Sequence, residues 1–182
     1  MTKECWHVYS SSPLYGSVRV AGAKNAVLVI LASLLLPRGK SYVYNVPDSS
    51  DVRNMLALLE HLGAYVHFNN HLHTVVVDTQ TIHHYTVPPE IMQKMRASIL
   101  VMGPLLARMG HAHVAVPGGC VIGKRPIDLH LQSFERLGAQ ISIVEDRIQA
   151  SLSRAKACSF VLDYPSVGAT ENMLMTAVLT PG

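Results

Sequence analysis

Residues 51–78 read DVRNMLALLEHLGAYVHFNNHLHTVVVD, and residues 128–151 read DLHLQSFERLGAQISIVEDRIQAS. The two stretches share one pattern. Each opens on an aspartate, carries apolar residues at helical spacing, and closes on Leu-Gly-Ala: Leu62, Gly63, Ala64 and Leu137, Gly138, Ala139. Glycine just past the last helical residue is the usual left-handed stop. Two short alternating runs follow each stop, 65–68 with 74–78 and 140–144 with 147–151. Their spacing predicts hairpins, turning at Asn69-Asn70 and at Glu145-Asp146.

Outward from this pair, a helix and a strand precede each stretch. Apolar runs predict helices over 26–36, 97–106 and 169–179, ending near Gly39, Gly110 and Gly182, which lie 71 and 72 residues apart. The alternating runs KSYVYNV (40–46) and HAHVAV (111–116) predict strands ending at Pro47 and Pro117. The unit is helix, strand, helix, hairpin, with a closing strand before the next unit. This makes an α/β array whose third unit shows only its helix. That abbreviation has two explanations, a fragment or truncated reading frame, and a natural variant with an atypical last repeat. The second Leu-Gly-Ala follows the first by 75 residues, so the extra residues fall in the loop 117–126, where an enlargement is a functional hint.

The 182 residues are 49% hydrophobic and 15% charged, against a usual charged share of about 25%. This excludes disorder, and glycines without strict period exclude a collagen-like chain. A net charge of +3 suits anionic small molecules or nucleic acid and decides neither. A nucleic-acid reading is weak, with aromatics at 6% and no basic stripe interleaved with them. Cys5, Cys120 and Cys158 are too few and too scattered for a disulfide framework or zinc ribbon, which favours a reduced, cytoplasmic compartment. The first ten residues show no apolar leader core, and the longest apolar run, 26–37, is too short to span a bilayer. A mean hydropathy of +0.24 suggests surface hidden against a partner or another domain.

Small and polar residues precede each repeated helix: Gly22, Ala23, Lys24, Asn25; then Lys94, Met95, Arg96; then Ser166, Val167, Gly168. Lys24 and Arg96 stand at nearly equivalent places. A helix start with an added cation is an anion site, and three starts around a pseudo-threefold axis would converge on one pocket. The alternative is ordinary caps beside surface charges. In the enlarged loop, Cys120 follows two glycines and precedes Lys124 and Arg125. Such surroundings lower a thiol pKa and suit a nucleophile or acid, whereas Cys5 and Cys158 fit buried, inert thiols. The loop is not a phosphate-binding P-loop, because Lys124 is followed by Arg125. Among ten histidines, the pairs His71/His73 and His111/His113 would each share one face of a strand, while the adjacent His83-His84 is poor ligand geometry. No cysteine or carboxylate lies at a matching spacing, so no metal site is assigned.

Four segments taken in order carry a resemblance: Ala21 to Ala26 (AGAKNA), Met95 to Ser98 (MRAS), Pro117 to His130 (PGGCVIGKRPIDLH) and Pro165 to Asn172 (PSVGATEN). Over residues 16–182 the chain resembles the UDP-N-acetylglucosamine 1-carboxyvinyltransferases, the enolpyruvyl transferases that open peptidoglycan synthesis. The sister family making enolpyruvylshikimate phosphate looks similar in fold but lacks the cysteine loop. The resemblance implies an inside-out α/β barrel of repeated βαβαββ units, helices inside and sheets outside, with a second such barrel in full-length members. Residues 1–20 would be an opening segment belonging to the other barrel, and 21–182 one domain incomplete in its third repeat.

The implied chemistry moves the enolpyruvyl group of phosphoenolpyruvate to the 3-hydroxyl of the UDP-sugar, releasing phosphate, with no cofactor and no metal. By position, Lys24 and Asn25 would hold phosphoenolpyruvate. Cys120 would protonate its methylene carbon, and can also form an adduct with it. Arg125 would contact phosphate and Arg96 would help hold the nucleotide sugar. Arg125, Pro126, Ile127, Asp128 and Leu129, with Tyr164, Pro165, Ser166, Val167 and Gly168, would line the nucleotide site. Three departures stand out. Val29 replaces a common proline in the first helix, residues 1–13 match the opening strand poorly, and the second barrel, source of a catalytic aspartate and further arginines, is not among these residues. The 182 residues alone are therefore expected to be inactive, and a weak UDP-sugar-binding fragment or an unfolded remnant are the competing readings.

Overall fold

The computed structural model describes residues 5–117 and 127–179. Residues 5–23 are extended and largely exposed, and helix α1 (Lys24–Ser33) begins the ordered array. Strand β1 (Lys40–Val43), helix α2 (Ser50–His61) and the hairpin β2 (Tyr65–Asn69) and β3 (Thr74–Asp78) complete the first unit. A two-residue strand β4 (Thr86–Val87) and a single turn α3 (Pro89–Met92) lead to the second unit. There a 3-10 segment (Arg96–Val101) runs into α4 (Met102–Met109), followed by β5 (His111–Ala115), α5 (Asp128–Arg136), β6 (Gln140–Val144) and β7 (Arg147–Ser151). Helix α6 (Val167–Ala177) is the described part of the third unit.

The order helix, strand, helix, hairpin predicted from spacing is observed in both of the first two units. Both Leu-Gly-Ala stops form the same Schellman closure. Gly63 and Gly138 have φ of 103° and 99°. Ala64 N–H reaches Leu59 C=O at 3.0 Å, and Ala139 N–H reaches Phe134 C=O at 2.9 Å. Each closure sends the chain directly into the first strand of its hairpin. The β6–β7 turn has both Glu145 and Asp146 at positive φ, 49° and 59°, the primed two-residue geometry that matches strand twist. The β2–β3 turn is longer: Asn69 Oδ1 accepts from the His71 and Leu72 N–H groups, and His73 takes φ 51°.

The sheets run β1-β3-β2 and β4-β5-β7-β6. All pairs are antiparallel except β4 with β5, where the closing strand of unit one joins unit two in parallel. Val75, Val77, Ala112, Val114, Ile148 and Ala150 point inward and are buried, whereas Tyr42 and Tyr65 stand on the solvent face. The helices lie inside. α2 packs on α1, α5 and α4 pack on α6, and the 3-10 segment touches α1, α2 and α6. Their apolar faces share one core with the sheets, including Leu31, Met55, Leu59, Met102, Leu105 and Phe134. Arg108 joins the first two units. It donates from Nη1 to the carbonyls of Leu35 and Pro37 and from Nη2 to that of Thr79.

Several expectations are corrected. The helix predicted over 97–106 is 3-10 for its first half, for a reason given below. The first helix stops at Ser33, and its last turn tightens as Leu35 and Leu36 N–H bond to Ala32 and Ser33 C=O. No closing strand forms among the described residues 152–166. β4, by contrast, pairs in parallel with the first strand of the following unit. Cys5 and Cys158 are exposed rather than buried, because both sit in extended segments outside the core. His71 and His73 lie in a turn, while His111 and His113 share a face of β5 with ring centroids 6.4 Å apart.

Candidate active site

Lys24 is the first residue of α1, as the spacing required. A lysine there is opposed by the positive end of the helix. Asp51, in the first turn of α2, offsets that by pairing with it, Nζ to Oδ2 at 2.6 Å. Ser49 caps α2 by accepting from Val52 N–H. Two helix starts therefore meet around one accessible ion pair, with Lys24 side chain 49% exposed and Asn25 exposed beside it. An incoming carboxylate or phosphate would find an ammonium held in place and a carboxylate it could displace.

Arg96 is the first residue of the 3-10 segment and is half-buried. Ile127 and Leu129 are half-buried at the start of α5, and Asp128 is exposed there. Tyr164 and Pro165 are exposed before α6. Ser166 caps that helix, accepting from Ala169 N–H through Oγ and from Thr170 Oγ1 through its carbonyl. Val167 is exposed, and Gly168 lies against the ring of His130. A Cβ there would stand 3.3 Å from Cε1 and 3.5 Å from Nε2. The structure thus brings residues 127–129 and 166–168 together through His130. Among the described residues, Lys24 stands apart from this group, with α1 and α2 both packed on the 3-10 segment between them. Cys120, Lys124, Arg125 and Pro126 lie outside the described residues. Two cavities of about 260 and 420 Å³ open on the second sheet, lined by residues such as His113, Gln140 and Ser151, and contain none of the candidate residues.

Beneath the α5 and α6 starts lies a buried polar junction that the sequence reading did not single out. Asn172 Oδ1 accepts from Gly103 N–H at 2.8 Å, and Asn172 Nδ2 donates to Ile99 C=O at 2.9 Å. In a continuous α-helix Gly103 N–H would bond directly to Ile99 C=O. The amide of Asn172 is inserted into that link, which is why 3-10 geometry precedes α4. Gly103 has no room for a side chain, since a Cβ would meet Asn172 O at 2.4 Å and Oδ1 at 2.5 Å. The second hydrogen of Asn172 Nδ2 faces His130 Nδ1 at 3.1 Å. With Oδ1 committed to Gly103, Nδ1 must be the acceptor, leaving the imidazole proton on Nε2. Burial, and secondarily the charge of Arg96, push the His130 pKa down to about 4, with Asp128 opposing. His130 is neutral at neutral pH. Asp51, His130 and Asn172 contact or underlie the candidate residues and were not singled out in the sequence. An aspartate at a predicted helix start was a visible signal for the first. His130 and Asn172 lay inside the quoted segments with nothing to mark them as partners.

The sequence model of the EPSP synthase family (3-phosphoshikimate 1-carboxyvinyltransferase) matches residues 8–182. The chain belongs to this family. Among EPSP synthase family proteins it is 49% identical over 176 residues to a UDP-N-acetylglucosamine 1-carboxyvinyltransferase of Cellvibrio japonicus, covering 96% of this chain and 42% of that protein. It is 51% identical over 169 residues to UDP-N-acetylglucosamine 1-carboxyvinyltransferase 2 of Carboxydothermus hydrogenoformans, covering 93% of this chain and 40% of that one. The chain thus spans about two-fifths of the length of these relatives. In structure it superposes on the enolpyruvyl transferase NikO from Streptomyces tendae with a TM-score of 0.79 at 20% identity, over 93% of this chain and 40% of that one. An EPSP synthase from Acinetobacter baumannii gives 0.70 at 16% identity, over 92% and 39%. These likenesses establish the fold: the helix-inside, sheet-outside repeat is part of an enolpyruvyl transferase domain. No helix among the described residues is long and apolar enough to cross a membrane.

Proposed function

We propose that these residues form part of a transferase that moves the enolpyruvyl group of phosphoenolpyruvate to the 3-hydroxyl of UDP-N-acetylglucosamine, releasing phosphate. The observation that carries this reading is the 44–51% identity to three relatives of that name, over 93–96% of this chain. In this reading the sugar hydroxyl gives its proton to a base of the second barrel and its oxygen adds to C2 of phosphoenolpyruvate while the Cys120 thiol protonates the methylene carbon, giving a tetrahedral intermediate. Loss of a methyl proton then expels phosphate. Lys24, aided by Asn25, neutralises the phosphoenolpyruvate anion, exchanging Asp51 for it. Arg125 holds phosphate, Arg96 holds the nucleotide sugar, and Arg125 to Leu129 with Tyr164 to Gly168 line the nucleotide site. Cations and helix starts placed beforehand around developing charge are the main source of rate.

The division at residue 20 belongs to the same proposal, with a second barrel supplying the remaining catalytic groups, and so does a cytoplasmic role in cell-wall synthesis. The alternative reading is a non-catalytic chain that binds the UDP-sugar weakly. Both readings expect UDP-N-acetylglucosamine to shift the amide signals of residues 127–129 and 164–168, and Arg125→Ala to weaken that binding at least tenfold. Only the first expects turnover once the second barrel is supplied. An absence of shifts at those residues would refute both.

A further inference from the structure

Asn172 and His130 occupy a place that neither the reaction nor the nucleotide site assigns. The Asn172 amide bridges Ile99 and Gly103, three and seven residues after Arg96. Its remaining N–H fixes the His130 ring, two residues after Asp128. That ring in turn supports Gly168, one turn before Asn172 on α6. Three helix starts, those bearing Arg96, residues 127–129 and residues 166–168, are thus tied by one side-chain amide and one imidazole. Every group in the junction is neutral, and each donor and acceptor of the amide has a defined role. Thr176 Oγ1 closes the set by donating to the Asn172 carbonyl at 2.9 Å.

We propose that Asn172 and His130 are a positioning pair, which sets the spacing between the helix starts that grip the UDP-sugar and does so through the single imidazole tautomer with its proton on Nε2. This rests on the nucleotide-site reading above. The pair does not touch the ligand. It acts by holding Arg96, residues 127–129 and residues 166–168 at fixed mutual distances, so that the ligand meets a preformed surface. The chemistry selects asparagine. Aspartate, nearly the same shape, would keep the bond from Gly103 N–H but could not donate to Ile99 C=O. It would also draw a proton onto His130 Nδ1.

The test uses the 182-residue chain with Asn172→Asp and His130→Gln, the second being a milder change should the first fail to fold. The ring-nitrogen signals of His130 in the parent should report a neutral ring protonated at Nε2, and Asn172→Asp should convert it to a doubly protonated ring. Without ligand, both variants should shift the amide signals of Arg96 and Gly168. Affinity for UDP-N-acetylglucosamine should fall at least tenfold in both, while a cooperative thermal transition remains. Unchanged affinity in the folded variants, beside normal binding by the parent, overturns the positioning role alone. A ring protonated at Nδ1 in the parent overturns the tautomer on which it depends. Failure of the parent to bind overturns the functional reading and the role built on it together.

Discussion

The starts of α1 and α2 meet within one unit, the starts of α5 and α6 meet across two units, and the two meetings are joined by opposite means. At α1 the joint is an ion pair, Lys24 with Asp51, open to water. At α5 and α6 it is a neutral amide and a neutral imidazole, buried from water. An exposed pair contributes little to stability, about 0–1 kcal/mol, and gives way readily to another anion. A buried, fully bonded network is costly to disturb and changes partners poorly. The difference suits the two tasks proposed above, one joint exchanging its carboxylate for a charged ligand and the other keeping a binding surface in place.

The largest way to break the comparison is acid. The His130 pKa is depressed, so the folded state binds its proton less readily than the unfolded chain. The contribution is therefore whole above about pH 6.5, declines as pH falls through the window down to about 4, and is gone below it. The displacement corresponds to roughly 3 kcal/mol. Urea unfolding of parent and His130→Gln across that window should show the excess acid sensitivity only in the parent.

Next comes Gly103→Ala, which forces a methyl group against the Asn172 backbone oxygen. A loss of about 2–3 kcal/mol is expected from such overpacking, read from the urea midpoint. Asp51→Asn should produce the smallest effect, under about 1 kcal/mol. It should also tighten binding of phosphoenolpyruvate, because Lys24 no longer has a carboxylate to surrender. Weaker binding in that variant would mean that Asp51 positions the lysine rather than competing for it.

The comparison also explains what could be read before folding. The two units were legible because their signals are local. Gly63 and Gly138 end helices by their own backbone angles, and Glu145-Asp146 turns a hairpin between alternating runs. Lys24 and Arg96 fell at helix starts because spacing from a stop fixes a start. The 3-10 segment was not legible, because its cause is an amide 69 residues beyond Gly103. No periodicity in residues 96–109 announces an insertion from α6. The Lys24–Asp51 pair spans 27 residues and depends on how α1 meets α2. Cys5 and Cys158 misled for the opposite reason: cysteine is usually buried, but a residue's type does not say whether its segment joins a core.

The central claim is that this domain carries the cysteine-bearing half of an enolpyruvyl transfer site. Its most direct test is the intact mass of the chain after incubation with phosphoenolpyruvate and UDP-N-acetylglucosamine, beside Cys120→Ser. A phosphoenolpyruvate-sized addition to the parent that is absent from Cys120→Ser is the predicted result. A folded parent that gains no mass, or a gain that survives Cys120→Ser, would contradict the account.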